Sequence, residues 1–199
     1  MATRVYRFAL VASVLLIADQ RMPADDPIPT DASIRKHLLP TDAGEVNQYL
    51  VSLGSRAFPA YERILNDPAC KPHEIAAIFS ILKDVPADRS RFVGRAVQGL
   101  ADASELVRWP AVMLLGEIGS RNDVSPLVAE MVSDDIMVVG AAAEALAKIG
   151  GPSELLAMDV WLAASSSAKR DRTYRSVVQK HREALARKLE NAAKAAPKK

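Results

Sequence analysis

The chain has 199 residues, 49% of them apolar, which is enough for one domain with a buried core plus tails. Aromatics are only 5%, Ala and Leu dominate the apolar set, and no stretch alternates with period two for long; this excludes a sandwich or barrel and favours close helix-on-helix contact. The net charge of +2 divides unevenly, since residues 168–199 carry eleven Lys or Arg against three acidic groups and residues 1–167 carry fifteen against twenty-one, so a mildly acidic body bears a basic tail.

The N-terminus places Arg4 and Arg7 before an uncharged apolar run of eleven residues, Phe8 to Ala18. That run has the length of a signal-peptide core and falls short of the ~20 residues a spanning helix needs. Residues 1–18 therefore read as a signal peptide, with Ala18 as one cleavage point. No clean small-x-small pair stands there, so a retained N-terminal anchor fits as well. The expected location is exported, in a bacterial periplasm or cell envelope. Residues 19–43 read as a linker: Pro23, Pro27, Pro29 and Pro40 leave room for no long helix, only for a turn or two between Ser33 and Leu39.

From residue 44 onward the chain reads as helices. Glu45 to Gly54 and Phe58 to Asp67 form one pair, and Glu74 to Val85 with Asp88 to Leu100 a second. Between these pairs lies Asp67-Pro68-Ala69-Cys70-Lys71-Pro72, a turn in which Cys70 reads as an incidental or buried thiol. One cysteine excludes a disulfide framework and a cysteine-based zinc site.

The strongest signal comes next. Leu106-Val-Arg-Trp-Pro-Ala-Val-Met-Leu-Leu-Gly-Glu-Ile-Gly119 repeats as Met137-Val-Val-Gly-Ala-Ala-Ala-Glu-Ala-Leu-Ala-Lys-Ile-Gly150, with Val107/Val138, Ala111/Ala142, Leu115/Leu146, Ile118/Ile149 and Gly119/Gly150 all offset by 31. Val107, Ala111, Leu114, Leu115 and Ile118 make one apolar helical stripe. An Asp or Ser before each block can cap the helix, and Gly119 and Gly150 sit where it stops, able to take the left-handed conformation there. Ser125 to Val132 supplies the shorter second helix of this pair, and Ser153 to Ala164 that of the next, with Leu155, Leu156, Val160 and Trp161 apolar. Pro59 against Pro126 and Asp67 against Asp134, both offset by 67, extend the repeat backwards by two units.

The block resembles the HEAT repeat family, including a shorter bacterial form whose repeats are similar to those of phycobilin lyases. Val107-Arg108, Ala111, Leu114-Leu115-Gly116 and Ile118-Gly119 carry the resemblance, with Val138, Ala142, Leu146 and Gly150 in the next unit. It implies an all-α fold: a short right-handed α-solenoid of about four helix pairs over residues 44–166, stable only by stacking. It also implies that Arg108 pairs with a carboxylate, for which Asp102, Asp134 and Asp135 are the candidates, and that Trp109 serves packing between repeats.

Residues 167–199 read as a basic helix and tail. Tyr174, Val178, His181, Leu185, Leu189 and Ala192 form a narrow stripe, flanked by Arg172, Arg175, Lys180, Arg182, Arg187 and Lys188. The helix can cap the last repeat, lie on an anionic membrane surface, or meet an acidic partner; export argues against nucleic acid.

No nucleotide loop, nucleophile elbow or metal signature is present. His37, His73 and His181 fall in different units, and the single His73-Glu74 pair reads as a polar helix start. No cofactor and no catalysis are expected. The reading is a protein-binding scaffold of the cell envelope that presents its second helices, 88–100, 125–132 and 153–164. The alternatives are an accessory factor of an enzyme or cofactor-handling complex and a membrane-surface protein using the tail.

Overall fold

The structure, a computed structural model, describes residues 29–38, 43–164 and 169–196, with backbone only for 43–47 and 169–173. The expected leader at 1–18, most of the linker and the last three residues lie outside it. Among the described residues there are ten α-helices and no strand. They are α1 (Asp31–His37), α2 (Ala43–Ser52), α3 (Phe58–Asn66), α4 (Pro72–Asp84), α5 (Val93–Leu100), α6 (Glu105–Ile118), α7 (Val124–Glu130), α8 (Ile136–Ile149), α9 (Pro152–Ala164) and α10 (Lys169–Ala195).

The helices stack as an α-solenoid. The first helices of successive units, α2, α4, α6 and α8, pack each on the next, and α10 continues that layer against α8. The second helices α5, α7 and α9 each pack mainly on the first helix of the following unit. The four expected pairs, α2/α3 to α8/α9, are all present.

The repeat stripe is the core. Val107, Ala111, Leu114 and Leu115 on α6 and Val138, Ala142 and Leu146 on α8 are fully buried. Gly116 sets the approach of these two helices: a Cβ there would lie 2.8 Å from Ala145 Cβ and 3.0 Å from its Cα. Asp135 caps α8 by accepting from the Met137 N–H at 2.8 Å. Glu74 reaches back from the first turn of α4 to accept from the Lys71 N–H at 2.8 Å, and Glu154 does the same for Gly151 on α9 at 2.7 Å.

Two expectations need correction. Gly119 and Gly150 are not left-handed: their φ,ψ values are −76°, 172° and −75°, 179°. The residue is dictated by space instead, since a Cβ would sit 2.5 Å from Leu115 O at Gly119 and 2.3 Å from Leu146 O at Gly150. Among the described glycines only Gly54, between α2 and α3, has positive φ. Second, Arg108 pairs with no Asp. Its guanidinium donates to the Asp102 and Ala103 carbonyls at 3.0 and 3.2 Å, with Glu105 on its own helix at 3.6 Å. The carbonyls lie just past the end of α5, so the arginine ties the turn between α5 and α6 rather than bridging carboxylates.

The segment expected as linker holds its two helical turns as α1, starting two residues earlier than expected. α1 docks on α2 and α3 with Ile34 and Leu38 buried. Arg35 donates to both Glu74 oxygens at 3.0 Å and to Asp67 at 2.5 Å.

Candidate interaction surface

The sequence pointed to three second-helix surfaces, and the structure gives them different characters. On α3, which was not among them, Arg63 and Asn66 are exposed together with Pro59. On α5 the outward residues are Gly94 and Gln98. On α7 they are Ser125 and Ala129, with Val132 82% exposed just beyond its end, and on α9 they are mostly apolar, with Leu156 64% and Val160 61% exposed.

α9 explains this locally. Its sequence Leu155-Leu156-Ala157-Met158-Asp159-Val160-Trp161-Leu162 is apolar on nearly every side, Asp159 excepted. One face is used: Met158 and Leu162 are buried. The opposite face is left over, and a helix that is apolar all round is ordinarily covered. Between α7 and α9 runs a furrow of about 440 Å³, lined by Val128, Met131 and Val132 on one side and Ser153, Leu156, Ala157, Val160, Trp161 and Ala164 on the other. Ser153, Ala157 and Ala164 fill little of the space between the two helices.

Leu106 and Met137, at equivalent places in the first turns of α6 and α8, are also exposed, as is Trp109 at 40%. Trp109 is therefore less enclosed than a packing role between repeats would make it.

The basic helix is docked. Val178 and Leu185 are fully buried, and Tyr174, His181 and Leu189 are half-buried. Arg182 holds Asp159 of α9 by two hydrogen bonds of 2.8 and 3.2 Å. Lys188 donates to the Lys148 and Gly150 carbonyls at the end of α8, and Arg175 donates to the Leu162 carbonyl. Lys180 and Arg187 stay exposed. The Arg172 side chain lies outside the described part. Three of the six residues offered as surface contacts thus tie α10 to the repeats.

The shifted groups owe their shifts to ion pairs and burial between helices. Hydrogen bonds from Lys148 hold the Glu144 carboxyl below its usual range. Burial pushes His181 below its usual value, helped by Lys180 and Lys148 and opposed by Glu144. Burial also pushes the Cys70 thiol up to about 11, far from a reactive thiolate. His73 and Glu74 start α4 as expected, with Glu74 turned into the fold toward Arg35. Among the described residues no three His, Cys, Asp or Glu side chains converge as a metal site.

Residues 95–177, from α5 into α10, match the family model of HEAT repeats. No curated protein matches the chain.

Proposed function

We propose that this HEAT-repeat chain is a non-catalytic protein-binding scaffold of the cell envelope, and that the second-helix layer at α7 and α9 is its contact surface. One observation carries the reading: the large aliphatic side chains Leu156 and Val160 on α9 and Val132 just beyond α7 stand in solvent, while α3 and α5 present Arg63, Asn66 and Gln98. Exposed apolar surface is costly to keep unless something covers it, at roughly 25 cal/mol per Å². HEAT repeats are typically interaction scaffolds, and the α7/α9 surface falls inside the matched span. The envelope location rests on Arg4, Arg7 and the apolar run Phe8–Ala18 alone. The membrane role of the basic tail is weakened, because insertion into lipid would require the stripe that α10 spends on α8 and α9.

The test is site-specific photo-crosslinking in the native cell, with the reactive residue at position 156 in the furrow or at position 63 on α3, followed by fractionation. A discrete adduct at 156, absent at 63 and found in the envelope fraction, is expected. No adduct at either position would overturn the scaffold reading. An adduct confined to the cytosol would overturn the location and keep the scaffold.

A further inference from the structure

The furrow has a shape and a charge that narrow its occupant. Its lining is aliphatic apart from Ser153 and Trp161, and its volume of about 440 Å³ is roughly three times the ~150 Å³ of a cavity that holds one benzene. That is room for a short row of aliphatic side chains. The surrounding chain is acidic: residues 121–164 hold seven Asp or Glu against Arg121 and Lys148, and with Glu144, Glu154 and Asp159 engaged by Lys148, Arg121 and Arg182 the carboxylates left beside the furrow are those at the end of α7. Asp134 is exposed two residues beyond Val132, and Glu130 is half-buried at the end of α7. The basic Arg121, at the start of this stretch, is engaged with Glu154 at 3.4 Å.

The conformation of the occupant follows from what the furrow lacks. Among the described residues there is no strand and hence no sheet edge. An extended peptide would bring backbone N–H and C=O groups against Val128, Val160 and Leu156 with nothing to bond. A helix satisfies its own backbone and inserts side chains at three- and four-residue steps. A second copy of this chain is a poor fit, since its one described basic amphipathic helix, α10, already buries Val178 and Leu185. An anionic lipid surface is repelled by the acidic flanks.

We propose that the furrow between α7 and α9 binds an amphipathic helix of a protein partner, aliphatic on the inserted face and basic on its flanks. This rests on the scaffold reading above and names the class of partner. The aliphatic face supplies the affinity, and the basic flanks supply orientation and a salt-dependent association rate.

The test uses the full chain and a fluorescent helical peptide with Leu at three- and four-residue steps and Lys elsewhere, alongside a twin with Glu in place of Lys. Fluorescence anisotropy should show the Lys peptide binding at least tenfold tighter than its twin at low salt, a difference of about 1.4 kcal/mol. The double variant Leu156→Ser, Val160→Ser should weaken the Lys peptide at least tenfold, while its melting temperature stays unchanged because both side chains face solvent. Asp134→Lys should narrow the gap between the twins. Equal affinity for the two peptides would overturn the proposal, as would binding indifferent to the furrow substitutions. Preferential binding of a peptide of residues 1–18, released when that segment is deleted, would make the chain's own N-terminus the occupant and overturn it too. Concentration-dependent dimerisation lost in the double variant would give the furrow to a second copy. If crosslinking at 156 captures a partner while the Lys peptide fails, only the helix chemistry is wrong. If both fail, the scaffold reading falls with it.

Discussion

A methyl group on Gly119 would lie 2.5 Å from Leu115 O and 3.2 Å from Leu115 Cδ1. The glycine is needed because the chain leaves α6 in an extended conformation pressed against the helix end, donating its N–H to Leu115 O at 2.8 Å. This yields a discriminating prediction. At a left-handed helix end, Asn is tolerated nearly as well as Gly. Here Gly119→Asn and Gly119→Ala should both destabilise, by roughly 1–3 kcal/mol, because either Cβ meets the same carbonyl. Urea denaturation of both variants checks it, and an Asn variant within ~0.5 kcal/mol of the parent would contradict it. The position of the glycine was legible in the sequence, since it follows the apolar stripe by one residue. Its backbone conformation was not, because that depends on how the next helix pair lies across the end of α6. Arg108 failed in the same manner: the sequence placed an arginine near several aspartates, but two backbone carbonyls sit within its reach first.

At the level of the helix, α10 decides how the basic tail is used. Leu185 is fully buried, and Arg187 two residues on is exposed. Leu185→Ala should therefore cost about 2–5 kcal/mol, while Arg187→Glu should leave stability within ~0.5 kcal/mol. Thermal unfolding of the two variants separates a docked cap from a free tail, which would show neither effect. His181, also on α10, adds a pH dependence. Its folded pKa lies below the unfolded 6.5, so the folded state favours the neutral ring and the unfolded state takes up the proton first. The contribution is fully present above pH 6.5 and is lost as pH falls through that value toward the folded pKa. Glu144 and Asp159 have lowered pKa values, so their contributions are lost only when pH falls through the carboxylate range, below 4.5 and 3.8 respectively. The melting temperature should begin to fall between pH 7 and 5, and His181→Gln should flatten that part of the curve. A parent curve flat over that window would contradict the assignment. α1 shows what local sequence hides at this scale. Two turns in a proline-rich segment are held by Arg35 contacts to Asp67 and Glu74, 32 and 39 residues away, and no window around Arg35 contains them. The furrow was half legible. The surplus of apolar side chains on α9 stands in the sequence, but which face stays open depends on how the stack buries Met158 and Leu162 and leaves Leu156 and Val160 outside.

Over the whole molecule, the repeat was legible because each unit solves the same packing problem with the same spacing, so an offset of 31 is visible in the residues themselves. Stacking also sets how the molecule should unfold. In a solenoid each unit touches its neighbours, and cooperativity is carried by the interfaces between them. The α6–α8 contact is the central one, and Gly116 against Ala145 sets its closeness. Gly116→Val places side-chain atoms where Ala145 already stands, and the two helices must separate. Stability should fall by about 1–3 kcal/mol. The urea transition should also broaden, because the units before and after the contact lose part of their coupling and no longer unfold as one. Gly94 supplies the contrast: it is exposed within α5, and a Cβ there meets nothing within 4 Å. Gly94→Ala should stabilise by about 0.5–1 kcal/mol with an unchanged slope, through helix propensity and a less flexible unfolded chain. If Gly116→Val shifts the midpoint but leaves the slope at the parent value, the stack unfolds as a single unit despite the damaged interface. Cooperativity would then reside in the second-helix contacts and the α10 cap rather than in the first-helix layer.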